Sequence, residues 1–180
     1  MGHESLVYGC IVGERWKVTD MRRLQRLNRA EITTLPETDE WPFLTRSMFS
    51  VPGDEPVEGS YRSQLIHFGA SFKYIEWYWD EWLVKFESLL VRLFWRDVYL
   101  HLRTELVGDY NYKYKAMDYT ESFYNCEPPR PASSWTLTGG PRRFLETGPE
   151  FEDMSNLIWL YDDGIWSLKP NEVDQNESDS

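Results

Sequence analysis

The sequence predicts an α+β fold, in which a mostly antiparallel β-sheet carries two helices packed on one face within a single domain. Two observations lead to this class. Two segments carry apolar residues at helical spacing, whereas several short segments are apolar throughout or alternate between apolar and polar residues. A chain of 180 residues is also typical of one domain with a substantial core.

The amino-terminal part is predicted to supply one strand, one helix and a loop. The run SLVYGCIV at residues 5–12 is short and apolar on both faces, which predicts a buried strand. Thr19 or Asp20 can cap a helix that runs to about Leu35. Residues 36–60 are rich in proline and glycine, so we expect a long loop there with at most one short strand.

The middle of the chain is predicted to form a strand and then a long helix. Residues 64–73 alternate between apolar and polar side chains, as in a strand with one buried face. From about Ile75 to Phe94, apolar residues recur at steps of three and four, with acidic and basic residues, Glu76 and Glu87 among them, on the remaining turns. This pattern places Trp79 and Trp82 in the core. Trp77 and Tyr78 lie off the centre of the apolar stripe.

A hairpin is predicted to follow this helix. Residues 97–107 alternate, and three tyrosines continue the alternation from Tyr110 to Tyr114. Pairing Leu106 with Tyr110 and Leu102 with Tyr114 keeps one face apolar, so this register is the predicted one. The opposite, polar face then carries His101, Arg103, Glu105, Asn111, Lys113 and Lys115.

The carboxy-terminal part is predicted to contain a strand at residues 134–138 and a second hairpin. Two apolar runs flank Asp162-Asp163-Gly164, which is a strong hairpin signal. Its aromatic residues would cluster on one face. The last ten residues, NEVDQNESDS, predict an acidic, disordered tail at 171–180 after a domain at 1–170.

The negative charge is concentrated near the carboxy terminus. The formal net charge is −11. Residues 144–180 contain ten acidic residues and the single base Lys169, giving −9 and leaving −2 for residues 1–143. An acidic surface repels nucleic acid and attracts basic proteins, so direct nucleic-acid binding is not expected. Improved solubility is the plainer interpretation of the same charge.

Catalytic and metal-binding motifs are not recognisable, so no catalytic residue, cofactor or metal is predicted. The row His101, Arg103 and Glu105 is the best catalytic candidate, although a solvated strand face explains it equally well. Residues 138–143, TGGPRR, are most simply a turn. Two cysteines and no signal peptide or membrane-spanning segment predict a cytoplasmic protein.

Three segments resemble a known class of proteins: LTRSMFSVPG at 44–53, YRSQLIHFGASFKYIEWYWDEWLVKFESLLVRLFW at 61–95, and VYLHLRTELVGDY at 98–110. They are similar to immunity proteins of bacterial polymorphic toxin systems, encoded beside contact-dependent, Rhs or type VI secretion effectors. The resemblance implies a cytoplasmic, non-enzymatic protein that binds a cognate toxin domain and blocks its active site or substrate access. A nuclease is the first choice of toxin, and an ADP-ribosyltransferase is the second.

The expected interface combines aromatic anchors with acidic residues that meet basic toxin residues. We expect the toxin domain as partner, without nucleic acid or membrane, and a monomer or homodimer. Two alternatives are an acidic regulatory or decoy protein that binds a basic protein, and a small enzyme that uses His101 and Glu105. The predicted contact residues are Trp77, Tyr78, Glu150, Glu152, Asp153, Asp162 and Asp163.

Overall fold

Strands and helices alternate in the first half of the chain, and strands alone follow the second helix in the described residues. The computed structural model describes residues 3–13, 18–53, 59, 65–117, 131–144 and 157–170. The elements are β1 (Glu4–Val12), α1 (Val18–Thr33), β2 (Phe49–Ser50), β3 (Leu65–Lys73), α2 (Trp79–Leu90), β4 (Asp97–Thr104), β5 (Asp109–Ala116), β6 (Ser134–Thr138), β7 (Leu157–Asp162) and β8 (Ile165–Pro170).

The eight strands found in the described residues form one antiparallel sheet, in the order β2-β3-β1-β4-β5-β6-β7-β8. The first strand lies between β3 and β4, so that Tyr8 faces Gly69 on one side and His101 on the other. Because β3 and β4 both run antiparallel to β1, the connection between them crosses over the sheet through α2. The predicted α+β class, with two helices on one face, is confirmed.

The core lies between one face of the sheet and the helices. Three aromatic side chains of α2, Trp79, Trp82 and Phe86, are completely buried. Their rings stack in succession, with centroids 5.2 Å apart for the first pair and 5.1 Å for the second. Ile32 of α1 joins the same core. The helical spacing therefore predicted the buried side of α2 correctly; we call these three residues the buried stack.

The second helix is shorter than the sequence predicts. Residues Ile75–Tyr78 form a 3-10 turn, and the α-helix ends at Leu90. Asn28 holds the following chain away from helical geometry, since its side chain bonds both the N–H and the C=O of Phe94, at 2.7 and 2.9 Å. The indole of Trp95 also donates to the carbonyl of Leu90, at 2.9 Å. The Asn28 contacts from α1 and the Trp95–Leu90 contact at the helix end together accompany a helix that stops four residues early.

One face of the sheet is open, which corrects the prediction of a fully buried first strand. Tyr8 is exposed and Cys10 is half-buried, whereas Val7 and Ile11 are buried. The apolar run did not reveal this difference, because the helices cover the sheet on one side only. Partial burial raises the pKa of the Cys10 thiol.

The β4–β5 hairpin has the predicted apolar face but a different register. Leu102 faces Tyr110, whereas Leu106 lies outside the strands. The predicted pairs are wrong because β4 ends at Thr104, whose side chain accepts a hydrogen bond from the N–H of Val107 at 2.9 Å. A four-residue connection, Glu105 to Gly108, follows.

The second predicted hairpin is confirmed. Asp163 and Gly164 both have positive φ, 43° and 92°, as a two-residue type I′ turn requires. Trp166 packs edge-on against Tyr161 at 5.2 Å between ring centroids. Tyr161 in turn stacks on Trp135 of β6 at 3.9 Å, so this hairpin adds to the core side of the sheet.

A buried ion pair links α2 to the carboxy-terminal strands. Glu87 is buried and accepts two hydrogen bonds from the guanidinium of Arg142, at 2.6 and 2.9 Å. The hydroxyl of Tyr114 donates to the same carboxylate at 3.0 Å. Arg142 also lies 4.2 Å from the ring centre of Trp166. The sequence placed Glu87 on a polar face, which is wrong, because its partner comes from the TGGPRR turn 55 residues later.

Candidate functional site

A groove of about 670 Å³ opens where β3 ends and β1 begins. Its lining is partly aromatic and partly polar, and we refer to these two sets of residues as its wall and its rim. We call this feature the aromatic groove. Its wall consists of Trp41, Phe43, Phe72, Tyr74 and Tyr78, and its rim consists of His3, Glu4, Ser71 and Lys73.

Two aromatic side chains of the wall are partly free to meet a partner. Trp41 and Tyr78 are 41% and 40% exposed. They pack edge to face, with ring centroids 5.7 Å apart. Trp41 also packs edge-on against the buried ring of Phe72 at 6.0 Å, and Phe43 stacks on Phe72 at 4.5 Å. The two exposed rings therefore pack against each other, and Trp41 against the core residue Phe72, while part of each ring remains exposed to solvent.

The turn that carries Tyr78 is firmly anchored. Ile75 and Glu76 are buried, and the hydroxyl of Ser5 donates to the Glu76 carboxylate at 2.6 Å. Tyr74 precedes the turn with φ 57° and ψ 35°, in the left-handed region. That backbone geometry strains a tyrosine by about 1–3 kcal/mol, so surrounding packing must hold it. The position of Tyr78 follows from this anchored turn.

The loop that carries Trp41 is held by an ion pair with α2. The ammonium of Lys85 donates to the Asp39 carboxylate at 2.8 Å and to the carbonyl of Glu40 at 2.9 Å. The N–H of Leu44 donates to the same carboxylate at 2.9 Å. Burial alone would raise the pKa of Asp39, but the hydrogen bonds from Lys85 and Leu44 outweigh it, and this pKa is lowered. The loop is therefore fixed on both sides of Trp41, where a cis peptide bond leads to Pro42.

The polar rim presents both signs of charge. The hydroxyl of Ser71 donates to the Glu4 carboxylate at 2.8 Å. Nδ1 of His3 lies 3.1 Å from the Glu105 carboxylate, and Lys73 is exposed beside them. Protein–protein interfaces commonly have aromatic residues at their centre and polar residues at their rim, and the groove combines the same two kinds of residue.

The structure separates the residues that the sequence predicted as one interface. Tyr78 lines the aromatic groove, whereas Trp77 is half-buried and packs against the core. Asp162 and Asp163 are exposed at the tip of the β7–β8 hairpin. Four strand spacings of about 4.8 Å separate β1 from β7, which is roughly 19 Å across the sheet. Tyr78 and the tip therefore belong to different regions.

Three predicted contact residues, Glu150, Glu152 and Asp153, lie outside the described residues. Conversely, Trp41 was not among the predicted contact residues. The available signal was a tryptophan inside a proline-rich loop, flanked by acidic residues in TDEWPF. A large apolar side chain in such a loop needs either a packing partner within the protein or a binding partner. Trp41 packs against Phe72 and still leaves part of its surface exposed.

The alternative catalytic row does not form one hydrogen-bonded unit in the described residues. Nδ1 of His101 lies 2.6 Å from the amide oxygen of Asn111, and its ring packs against Tyr8 at 4.7 Å. Glu105 lies in the turn after β4 and contacts His3 instead. The geometry therefore gives these two side chains different partners.

The described ranges contain neither a metal-binding cluster nor a membrane-spanning helix. No group of three or more His, Cys, Asp and Glu residues there is arranged to hold a metal ion. Of the helices in these ranges, none has both the length and the apolar character needed to cross a membrane. Comparison of the chain with protein-family models, with curated proteins and with solved structures finds no match in any of the three.

Proposed function

We propose that this protein is an immunity protein, which binds the toxin domain of a cognate secreted antibacterial effector and occludes its active site or its substrate-binding surface. The supporting observation is the pair of exposed rings, Trp41 and Tyr78, on an anchored framework. Tryptophan and tyrosine in the centre of an interface contribute most of the binding free energy in many complexes. A protein that acts by binding needs such anchors.

The anchoring of the groove favours tight binding. The Asp39–Lys85 pair fixes the loop of Trp41, and the Ser5–Glu76 hydrogen bond fixes the turn of Tyr78. Side chains that are ordered before association lose less conformational entropy when a partner binds. The groove is therefore suited to the long-lived complex that neutralisation of a toxin requires.

The charge distribution supports the choice of toxin. Residues 144–180 carry −9 of the net charge of −11. A nuclease presents a basic surface to its substrate, and acidic residues on an inhibitor accelerate association with such a surface. An ADP-ribosyltransferase is the second choice. In this proposal the protein acts in the cytoplasm of the producing cell and performs no chemistry on a substrate.

Co-expression tests the proposal directly. The toxin domain encoded by the adjacent upstream gene is induced in cells that carry either this protein or an empty vector, and survival is counted. We expect survival only with this protein, and a stable complex on size-exclusion chromatography. Equal killing in both strains would refute the proposal. If the protein instead captures unrelated basic proteins, such as histones, as strongly as the toxin domain, the acidic-decoy alternative is correct.

A further inference from the structure

The two edge strands of the sheet differ in length. β2, at one edge, has two residues, whereas β8, at the other, has six. In the described part of the chain, no segment pairs with the outer side of β8. An edge strand of this length presents backbone donors and acceptors that can pair with another strand.

The hairpin geometry shows which backbone groups of β8 point away from β7. In a two-residue turn, the carbonyl of Asp162 accepts from the N–H of Ile165, so these residues form a hydrogen-bonded pair. Since hydrogen-bonded and non-hydrogen-bonded pairs alternate along the ladder, the N–H and C=O groups of Trp166 and Leu168 point away from β7. Pro170, which has no N–H, occupies the next outward-facing position and ends the row.

Exposed aliphatic side chains accompany these free backbone groups. Ile165 is 71% exposed and Leu168 is 44% exposed. Ile165 lies on the open face of the sheet, and Leu168 lies on the core side, across from Trp159. A strand with exposed apolar residues on both of its faces and an open edge is typical of a pairing surface.

We propose that β8 pairs antiparallel with β8 of a second copy of this chain, with Ser167 on the two-fold axis. In this register Ile165 faces Lys169 of the second copy, and Trp166 faces Leu168 of the second copy. A shift by one residue would place core-side residues opposite open-face residues, which mismatches the two faces. A shift by two toward the carboxy terminus would bring Pro170 into the ladder, where its missing N–H loses a hydrogen bond.

The register is self-complementary in both packing and charge. On the core side, each exposed Leu168 is covered by a Trp166 ring, an aromatic–aliphatic pair that stabilises neighbouring strands. On the open face, the row reads Asp162, Ile165 and then Lys169 of the second copy, because Asp162 is the neighbour of Ile165 within one chain. Lys169 on this edge would disfavour pairing with an unrelated strand. When the partner is a second copy, Lys169 lies on the same row as Asp162 of that copy.

Sedimentation equilibrium on the isolated protein tests this dimer without any toxin. We expect the wild-type protein to form a dimer. The substitution Ile165→Lys should weaken this dimer and raise its dissociation constant by about tenfold or more. Val84→Lys is the matched control, because Val84 is also a highly exposed aliphatic residue, 57% exposed, but lies on α2. It should leave the dimer unchanged.

A monomer at all concentrations, or a dimer that resists Ile165→Lys, overturns the proposal. Loss of toxin binding in Ile165→Lys with a monomeric wild type would assign the edge to a toxin strand instead.

Disulfide trapping tests the register itself. Two Ser167 residues on the axis would form a non-hydrogen-bonded pair with Cα atoms about 4.5 Å apart, which suits a disulfide. Under mild oxidation we expect Ser167→Cys to form a covalent dimer in high yield. Thr136→Cys, on the same face in the interior strand β6, should not exceed the wild-type background. Equal yields for the two variants would overturn the proposed pairing.

Discussion

Tyr78 and Trp79 are neighbours in the chain, yet one ring is 40% exposed and the other is completely buried. The boundary between the 3-10 turn and α2 falls between them. Trp79 begins the buried stack, which faces the sheet, whereas Tyr78 turns toward Trp41 at the groove. Two aromatic clusters of similar composition thus arise side by side from one stretch of sequence.

Truncating the buried stack and truncating the groove aromatics should affect different properties of the protein. Atoms lost from the buried stack leave a cavity that the fold cannot fill, so the effect falls on stability. Atoms lost from the partly exposed groove rings remove less internal packing, so a smaller loss of stability is expected, and under the proposed function the main effect would be on toxin binding. The buried stack therefore stabilises the fold, whereas the exposed groove rings are the proposed binding anchors.

The largest expected effect is on the buried stack. Trp82→Ala should lower the free energy of unfolding by about 3–5 kcal/mol, because a large buried ring is replaced by a cavity. Trp41→Ala removes the same atoms from a ring that is 41% exposed and should lower it by about 1 kcal/mol. Urea denaturation followed by circular dichroism measures both. Equal losses would mean that the two clusters do not differ in the way described.

A smaller effect is expected at the ion pair that holds the groove loop. Asp39→Asn removes one partner of Lys85 and should cost about 1 kcal/mol or less at pH 7, since both side chains are partly exposed. The pKa of Asp39 is lowered in the folded protein, so its stabilising contribution is present above the ordinary value of 3.8 and is lost as the pH falls below it.

Urea denaturation of wild type and Asp39→Asn at pH 7 and at pH 3.5 checks this sign. The difference in free energy of unfolding between the two proteins should shrink at the lower pH. A difference that is the same at both values would show that Asp39 does not stabilise the loop through its charge.

Local patterns in the sequence predicted the parts of the fold that depend on neighbouring residues. The helical spacing of Trp79 and Trp82 identified the buried side of α2, and Asp162-Asp163-Gly164 identified the hairpin whose turn the structure shows to be type I′. Both depend on residues within a few positions of one another. The α+β class follows from such patterns.

Features that depend on distant partners were not predictable in this way. The burial of Glu87 requires Arg142, and the fixed loop of Trp41 requires Lys85 to meet Asp39, 46 residues earlier. Likewise, whether β1 is buried on one face or two depends on where the helices pack. Of the residues that line the groove, the sequence therefore predicted Tyr78 alone as a contact residue.

The most direct measurement compares two double variants in their affinity for the proposed toxin partner by isothermal titration calorimetry. Trp41→Ala/Tyr78→Ala removes the groove aromatics, and Tyr8→Ala/Tyr99→Ala removes two similarly exposed rings, 47% and 46% exposed, from the open face of the sheet. If the groove is the anchor, the first variant binds at least about 30-fold more weakly, a loss of about 2 kcal/mol or more, and the second binds like wild type. An unchanged affinity in the groove variant would show that the groove is not the anchor.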